Sequence, residues 1–206
     1  MDGDPPNRQT NQAGGKMPIK LDIGCGTKKR PGTVGVDTAS LPGVDIVAPA
    51  HSIPLEDGVA DEVYLSHILE HVPSLVEVMA EVWRLCRPGA IVHVWSPHAS
   101  CSYYAWSDPT HVRALSTTTF DYWEPGSPLG YYSTAKFRVI ERELHFRIAG
   151  QQVEHGGRLM EAATRMLSRV LDPLANVNRT AQIICERIWA PWVGFEEFYM
   201  RLECLK

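Results

Sequence analysis

The spacing between two short runs sets the tightest limit on how this chain can fold. Leu21-Asp22-Ile23 alternates apolar and acidic residues like a buried strand and runs straight into Gly24-Cys25-Gly26. Val34-Gly35-Val36-Asp37 is a second strand-like run, and only Thr27 to Thr33 separates it from the glycine turn. A parallel crossover ordinarily takes a dozen residues or more, most often with a helix. The pair is therefore either an antiparallel hairpin or a parallel pair whose helix has shrunk to about one turn. Length favours the hairpin. In the parallel arrangement, Gly24 and Gly26 bring bare main-chain N–H groups up to a ligand. Asp37 then stands at a strand end where a ribose can be held, which points to a nucleoside-containing cofactor.

The residues beyond Asp37 favour the parallel pair. Val44 to Val47 and Glu62 to Ser66 read as further strands, with His67 to Val72 as a short helical or irregular segment stopped by Pro73. Ser74 and Glu77 have the spacing of a capping box. Leu75, Met79, Val82, Trp83 and Cys86 then recur on one helical face up to Arg87-Pro88-Gly89. Ile91 to Trp95 is a strand that leaves at Ser96-Pro97-His98. Strands alternating with helical segments indicate an α/β domain with a mainly parallel sheet, whose ligands sit beyond the carboxyl ends of the strands. Gly24, Gly26, Asp37, Ser66, His67 and His98 all fall at such ends. Residues 99–136 are rich in aromatics and turn formers and read as a lid-like segment inserted over the site. Phe137 to Leu144 suggests a strand, residues 157–190 a helical insertion broken at Asp172-Pro173, and Phe195 to Leu205 a last strand paired antiparallel with Phe137 to Leu144.

Composition narrows the class. With 206 residues, 44% hydrophobic and 21% charged, the chain is expected to form one soluble domain over residues 17–206, behind a disordered polar tail at 1–16. A formal charge of −4 argues against a protein that tracks nucleic-acid phosphates. The five cysteines form no close pair, so neither disulfides nor a metal site is expected, and reduced thiols suit a cytoplasmic protein. No run is apolar enough for stable membrane insertion, and nothing bears on the oligomeric state.

The glycine turn also limits the cofactor. A dinucleotide fingerprint needs a third glycine where this chain has Lys29, and its ribose acid about 20 residues on. A phosphate-cradling loop would need Gly-Lys-Ser/Thr, which is absent. A cofactor with adenosine but no pyrophosphate remains. Leu21-Asp22-Ile23-Gly24-Cys25-Gly26, Val34 to Asp37, Ile53 to Asp57, Ser66-His67-Ile68-Leu69-Glu70-His71-Val72 and Arg87-Pro88-Gly89 stand in the order seen in class I S-adenosylmethionine-dependent methyltransferases. The chain most resembles the bacterial type 11 group, and Phe198 to Lys206 resembles its closing strand. The resemblance implies a Rossmann-like seven-stranded, mainly parallel sheet with an antiparallel last strand, here with a shortened first helix. It implies S-adenosyl-L-methionine as cofactor and S-adenosyl-L-homocysteine as product. Asp22 would orient the methionine amino group, Gly24, Cys25 and Gly26 would pass beneath it, and Asp37 with Thr38 would take the ribose. Ser52 and Ile53 would flank adenine, and Ser66 and His67 would line the reacting end. The chain departs from the group at Lys28, where a glycine is common, and at Pro49 or Ala50, where an acid often faces the adenine amine.

Methyl transfer is an in-line displacement, so a base is needed only when the acceptor must lose a proton. The expected catalytic residues are His111, Asp108 and His98, with Asp108-Pro109-Thr110-His111 placed in the cover segment. The alternative is that Asp108 and Thr110 cap a turn and His111 helps fold it. Ile188, Trp189 and Trp192 are expected to pack against the last strand. The expected function is methylation of a small molecule, at oxygen of a saccharide or secondary metabolite. A nucleic-acid or protein methyltransferase and a catalytically inactive cofactor-binding homologue are the alternatives.

Overall fold

The computed structural model describes residues 18–148, 157–190 and 192–206, so the expected 1–16 tail lies outside the described residues. The strands are β1 (Lys20–Ile23), β2 (Val34–Asp37), β3 (Ile46–Val47), β4 (Ala60–Ser66), β5 (Cys86–Pro97), β6 (Lys136–His145) and β7 (Glu197–Leu205). They form one seven-stranded sheet in the order β3-β2-β1-β4-β5-β7-β6. β1 and β2 are parallel, with Leu21 beside Val34 and Ile23 beside Val36, so the hairpin alternative is excluded. β7 runs antiparallel to both β5 and β6 and lies between them.

The short crossover works because other groups replace its helix. Gly24 and Cys25 N–H both donate to the Val36 carbonyl, and Arg30 N–H donates to Asp22 Oδ2 at 2.7 Å, pinning residues 24–33 across the strand ends. The sheet face that a full helix would cover carries stacked rings instead. Tyr64 and His93 lie 4.9 Å apart, and Trp95 and Tyr199 4.8 Å. The Arg30 guanidinium sits 4.7 Å from the Tyr64 ring centroid and 4.6 Å from that of Trp95, a cation–π cap on the ladder.

The opposite face holds the core. Leu21, Val63, Leu65, Val92, Val94, Phe198 and Met200 are fully buried, each contributing about 1.5–3 kcal/mol. The helix α1 (Leu75–Leu85) lays Val78, Met79, Val82 and Leu85 into that core, and its Ser74 cap accepts the Glu77 N–H as its spacing predicts. The helix ends at Leu85 rather than at Arg87-Pro88-Gly89, which already belong to β5, and Arg87 ties that strand to Asp61 at 2.6 Å. β3 is shorter than the run from Val44 suggests. The Asp45 carboxylate turns back to accept the Gly35 N–H and the Lys29 ammonium, while the Asp45 N–H still donates to the Gly35 carbonyl.

The cover segment is more ordered than its composition implies. It contains α2 (Ser102–Trp106) and two 3-10 turns, and the first of these, Thr117–Trp123, buries Phe120 and Trp123. The helical insertion consists of α3 (Gly157–Ala175) and α4 (Arg179–Ile184), the latter continuing into a π turn at Cys185–Trp189. Contrary to expectation, α3 runs through Pro173. Asp172 secures this end: its carbonyl accepts the Asn176 N–H, and its carboxylate accepts the Phe146 N–H at 2.7 Å. The Asn176 side chain bonds both main-chain groups of Leu144, so the helix stops where it is tied to β6. Ile188, Trp189 and Trp192 do not pack on β7; they are exposed, Trp192 by 87%. Phe120, Phe195 and Phe198 already fill the space they would need. Leu159, Met160, Met166, Leu167, Val170 and Leu174 of α3 are also exposed.

Candidate functional site

Two recesses of about 480 Å³ each open at the carboxyl ends of β1, β2 and β4 and share Gly24 and His67 in their walls. The first is polar, with Asp22, Cys25, Gly26, Lys28, Arg30 and Ser66 around it. The second is lined by Asp37 and Thr38 on one side and by Ala48, Pro49, Ala50 and His51 on the other, with Ile68, His71 and Val72 closing it. The glycine turn is the ridge between them. Gly24 and Gly26 have φ of +74° and +51°, a region that favours glycine.

Asp37 organises this ridge before any ligand arrives. Its Oδ2 accepts the Gly26 N–H at 2.8 Å and its Oδ1 the Ala39 N–H at 2.9 Å. A carboxylate has about four lone-pair sites, so two remain for a pair of hydroxyls. Asp22 is 3% exposed and gives one oxygen to Arg30 N–H.

His67 closes β4 at φ +51°, unusual for a residue with a side chain and typical of functional positions. Its N–H donates to the Trp95 carbonyl, and its ring lies 2.7 Å from Glu197 and 3.5 Å from Glu70. Burial pushes its pKa down, but the hydrogen bond to Glu197 and the ion pair with Glu70 outweigh that and raise it to about 9, so the ring is cationic at neutral pH.

Not every expected residue reaches the recesses. Ser52 and Ile53 are absent from the walls. The Ile53 N–H donates to Glu81 and its carbonyl accepts from Arg84, which draws it into the core against α1, and residues 48–51 stand beside Asp37 instead. His98 is buried, with Nδ1 2.7 Å from Ser100 Oγ and Nε2 3.0 Å from Glu186. Glu186 also accepts from the Thr117 N–H and hydroxyl, so this cluster joins the cover segment to the insertion. His98 lines a separate cavity of about 630 Å³ that includes Arg179 and Arg187. His111 and Asp108 line neither recess; they reach only the His71 rim of the second, where the His111 ring meets His71 edge-on with centroids 4.6 Å apart. Local sequence assigns His71 to structural support within its own turn; its contact with a segment forty residues away has no local signature.

One side chain straps this rim together. Arg113 donates to the carbonyls of Leu69, Val72 and Pro73, while the Val112 N–H donates to the Glu70 carbonyl at 2.9 Å. Arg113→Ala strands three carbonyls and is expected to cost about 2–3 kcal/mol in chemical denaturation. A loss under about 0.5 kcal/mol, the range of an ordinary surface change, would show that the strap is dispensable.

A mainly parallel sheet of this strand order, with a glycine ridge after β1 and an acid ending β2, is the class I methyltransferase fold. Residues 21–94 match the methyltransferase domain family of type 11. Over those residues, about a third of its length, the chain is thus similar to class I S-adenosylmethionine-dependent methyltransferases, type 11-like, a group whose cofactor is S-adenosyl-L-methionine. An uncharacterized 37.1 kDa protein in transposon TN4556 of Streptomyces fradiae is 30% identical over 101 residues, 37% of this chain. The match spans 29% of that relative's length. Among solved structures, an S-adenosylmethionine-dependent methyltransferase from Archaeoglobus fulgidus is similar at a TM-score of 0.52 and 17% identity, over 90% of this chain and 86% of its own. The YcgJ protein of Bacillus subtilis is similar at 0.52 and 14%, over 91% and 92%. Likeness at these identities establishes the fold.

The residues present fit the cofactor. A Cβ on Gly26 would meet nothing within 4 Å, so the ridge offers an open main-chain surface. Asp37 keeps lone pairs for a ribose, and Ala48, Pro49 and Ala50 give an apolar wall for a flat base.

Proposed function

We propose that this protein transfers a methyl group from S-adenosylmethionine to a small molecule, at a hydroxyl of a saccharide or secondary metabolite. The observation that carries the reading is the pair of recesses meeting at Gly24 and His67, the first richer in charged side chains and the second partly apolar with Asp37 in its wall. Asp37 and Thr38 hold the ribose, the 48–51 wall and Ile68 hold the base, and Asp22, Lys28 and the glycine ridge hold the amino-acid end. Bound there, the cofactor supplies an electrophilic methyl on a sulfonium. The chain contributes alignment and the exclusion of water, which together carry most of such a displacement. Ser66 and His67 border the reacting end, and the ion pairs of His67 hold its ring still.

A hydroxyl acceptor must lose its proton, and the His71–His111 pair at the rim is the group suited to take it. Asp108 helps to orient that pair through Thr110, whose hydroxyl lies 2.6 Å from its carboxylate. His98, enclosed between Ser100 and Glu186, acts through the placement of the cover segment. Incubation with methyl-labelled cofactor and either a metabolite extract or total RNA separates the acceptor classes. Label in the small-molecule fraction is expected; label confined to RNA or protein would reverse the reading. His111→Ala is expected to lower turnover about 100-fold or more, the usual worth of a positioned base, while the Kd for S-adenosylhomocysteine changes less than about twofold. Unchanged turnover would return His111 to a structural role.

A further inference from the structure

We propose that Glu70, His71 and His111 bind a divalent transition-metal ion at the rim of the cofactor recess. The inference rests on the geometry of this cluster and not on methyl transfer. One ligand-capable atom of each of the three side chains lies within 4.8 Å of those of the other two. A metal with bonds near 2.1 Å would draw them together by about an ångström.

The hydrogen bonds around the cluster leave these side chains in the form a metal takes. His111 Nδ1 is 2.9 Å from the Ala105 carbonyl oxygen, which can only accept, so Nδ1 carries the proton and Nε2 keeps a free lone pair. His71 Nδ1 is 2.9 Å from Thr110 Oγ1. The hydrogen of that hydroxyl is directed to Asp108 Oδ1 at 2.6 Å, so Oγ1 accepts from His71 Nδ1–H and Nε2 is again free. Both imidazoles are thus held in the same tautomer by outer partners, as ligating histidines usually are. The Asp108-Pro109-Thr110-His111 string then supplies one ligand and the outer support of another. Asp108 and His98, which the sequence set beside His111, are not ligands.

Glu70 gives the second, independent observation. It is 2% exposed, and its Oε2 accepts from Ser96 Oγ at 3.0 Å. Its Oε1 is buried with no hydrogen-bond partner, the nearest charge being His67 Nδ1 at 3.5 Å. A buried carboxylate oxygen held only by that long contact keeps lone pairs free for a cation. A cation beside the two free imidazole nitrogens takes them. Two imidazoles and one carboxylate suit zinc, manganese, iron or cobalt rather than calcium or magnesium. Three protein ligands leave positions for water or for oxygens of an acceptor; with the ion bound, both Nε2 lone pairs are committed to it, so proton removal would fall to a metal-bound hydroxide rather than to an imidazole.

The test uses the full chain, stripped with chelator and titrated with Co²⁺ in the absence of cofactor. One equivalent is expected to bind, giving visible d–d absorption without the intense near-ultraviolet band of a thiolate ligand. His71→Ala and His111→Ala are each expected to weaken binding at least 100-fold, and Asp108→Ala about tenfold through the lost outer support. Glu70→Gln, which keeps the Ser96 bond, is expected to weaken it comparably to the histidine variants, with the thermal unfolding of each metal-free variant confirming the fold. Absence of stoichiometric binding, a thiolate band, or full binding in the His71→Ala/His111→Ala double variant would overturn the site. Because no cofactor is present, its failure and that of the methyl-transfer reading are separate results.

Discussion

S-adenosylhomocysteine is expected to raise the unfolding temperature of the native protein and to leave that of Asp37→Ala almost unchanged. At about 100 times its Kd, a ligand that binds only the folded state stabilises it by about 2.7 kcal/mol. For a domain of this size that is roughly 5–11 °C in Tm. Asp37 ends β2 beside the ridge and keeps about two lone-pair sites after its main-chain bonds. Two charge-assisted bonds to ribose hydroxyls, each worth about 1.5–3 kcal/mol, depend on it, so their loss lowers affinity on the order of 100-fold or more. At the same ligand concentration the shift then falls to about 0.4 kcal/mol, close to undetectable. The alanine also strips the Gly26 and Ala39 N–H groups of their acceptor, which lowers the ligand-free Tm. Asp37→Asn separates the two effects, because its amide oxygen still accepts a main-chain N–H while the second acceptor oxygen is gone. A full ligand-induced shift in both variants would mean that the ribose acid lies elsewhere.

Gly24→Ala is expected to destabilise the fold by about 3 kcal/mol, combining a left-handed backbone penalty with overpacking. Its Cβ would stand 2.4 Å from Ile68 Cδ1 and 2.9 Å from Ile68 Cβ, at a φ of +74°. That corresponds to roughly 6–12 °C in Tm. Gly26→Ala isolates the backbone part, since its Cβ would meet nothing within 4 Å, and should cost only about 1–2 kcal/mol. Truncating the neighbour in Gly24→Ala/Ile68→Ala should recover part of the loss, a coupling that a double-mutant cycle reads directly. Equal effects at Gly24 and Gly26 would show that contact with Ile68 is not what requires glycine at the ridge.

The parts legible in the sequence are those written in short-range pattern. The Ser74–Glu77 cap, the alternation of β4, β5 and β7, the glycine ridge and the acid after Val36 each reflect a local rule of backbone geometry or burial. The closing strand is readable as antiparallel to β6, although its insertion between β5 and β6 comes from resemblance to a family rather than from its own residues. The break expected at Pro173 shows the limit of such rules. A proline removes one helical hydrogen bond, and the bonds of Asp172 and Asn176 to the end of β6 outweigh that loss.

The sequence by itself determined where the chain turns, the alternation of burial along its longer strands, and that an acid follows a glycine ridge. These depend on φ/ψ preference and on periodicity within a few residues. Tertiary structure alone decided that residues 48–51 and not Ile53 line the recess beside Asp37, that His71 and His111 meet near the buried Glu70 carboxylate, and that Trp189 and Trp192 face outward. Each of those outcomes is a competition for space between segments far apart in the chain. The closely packed interior settles such competitions all at once.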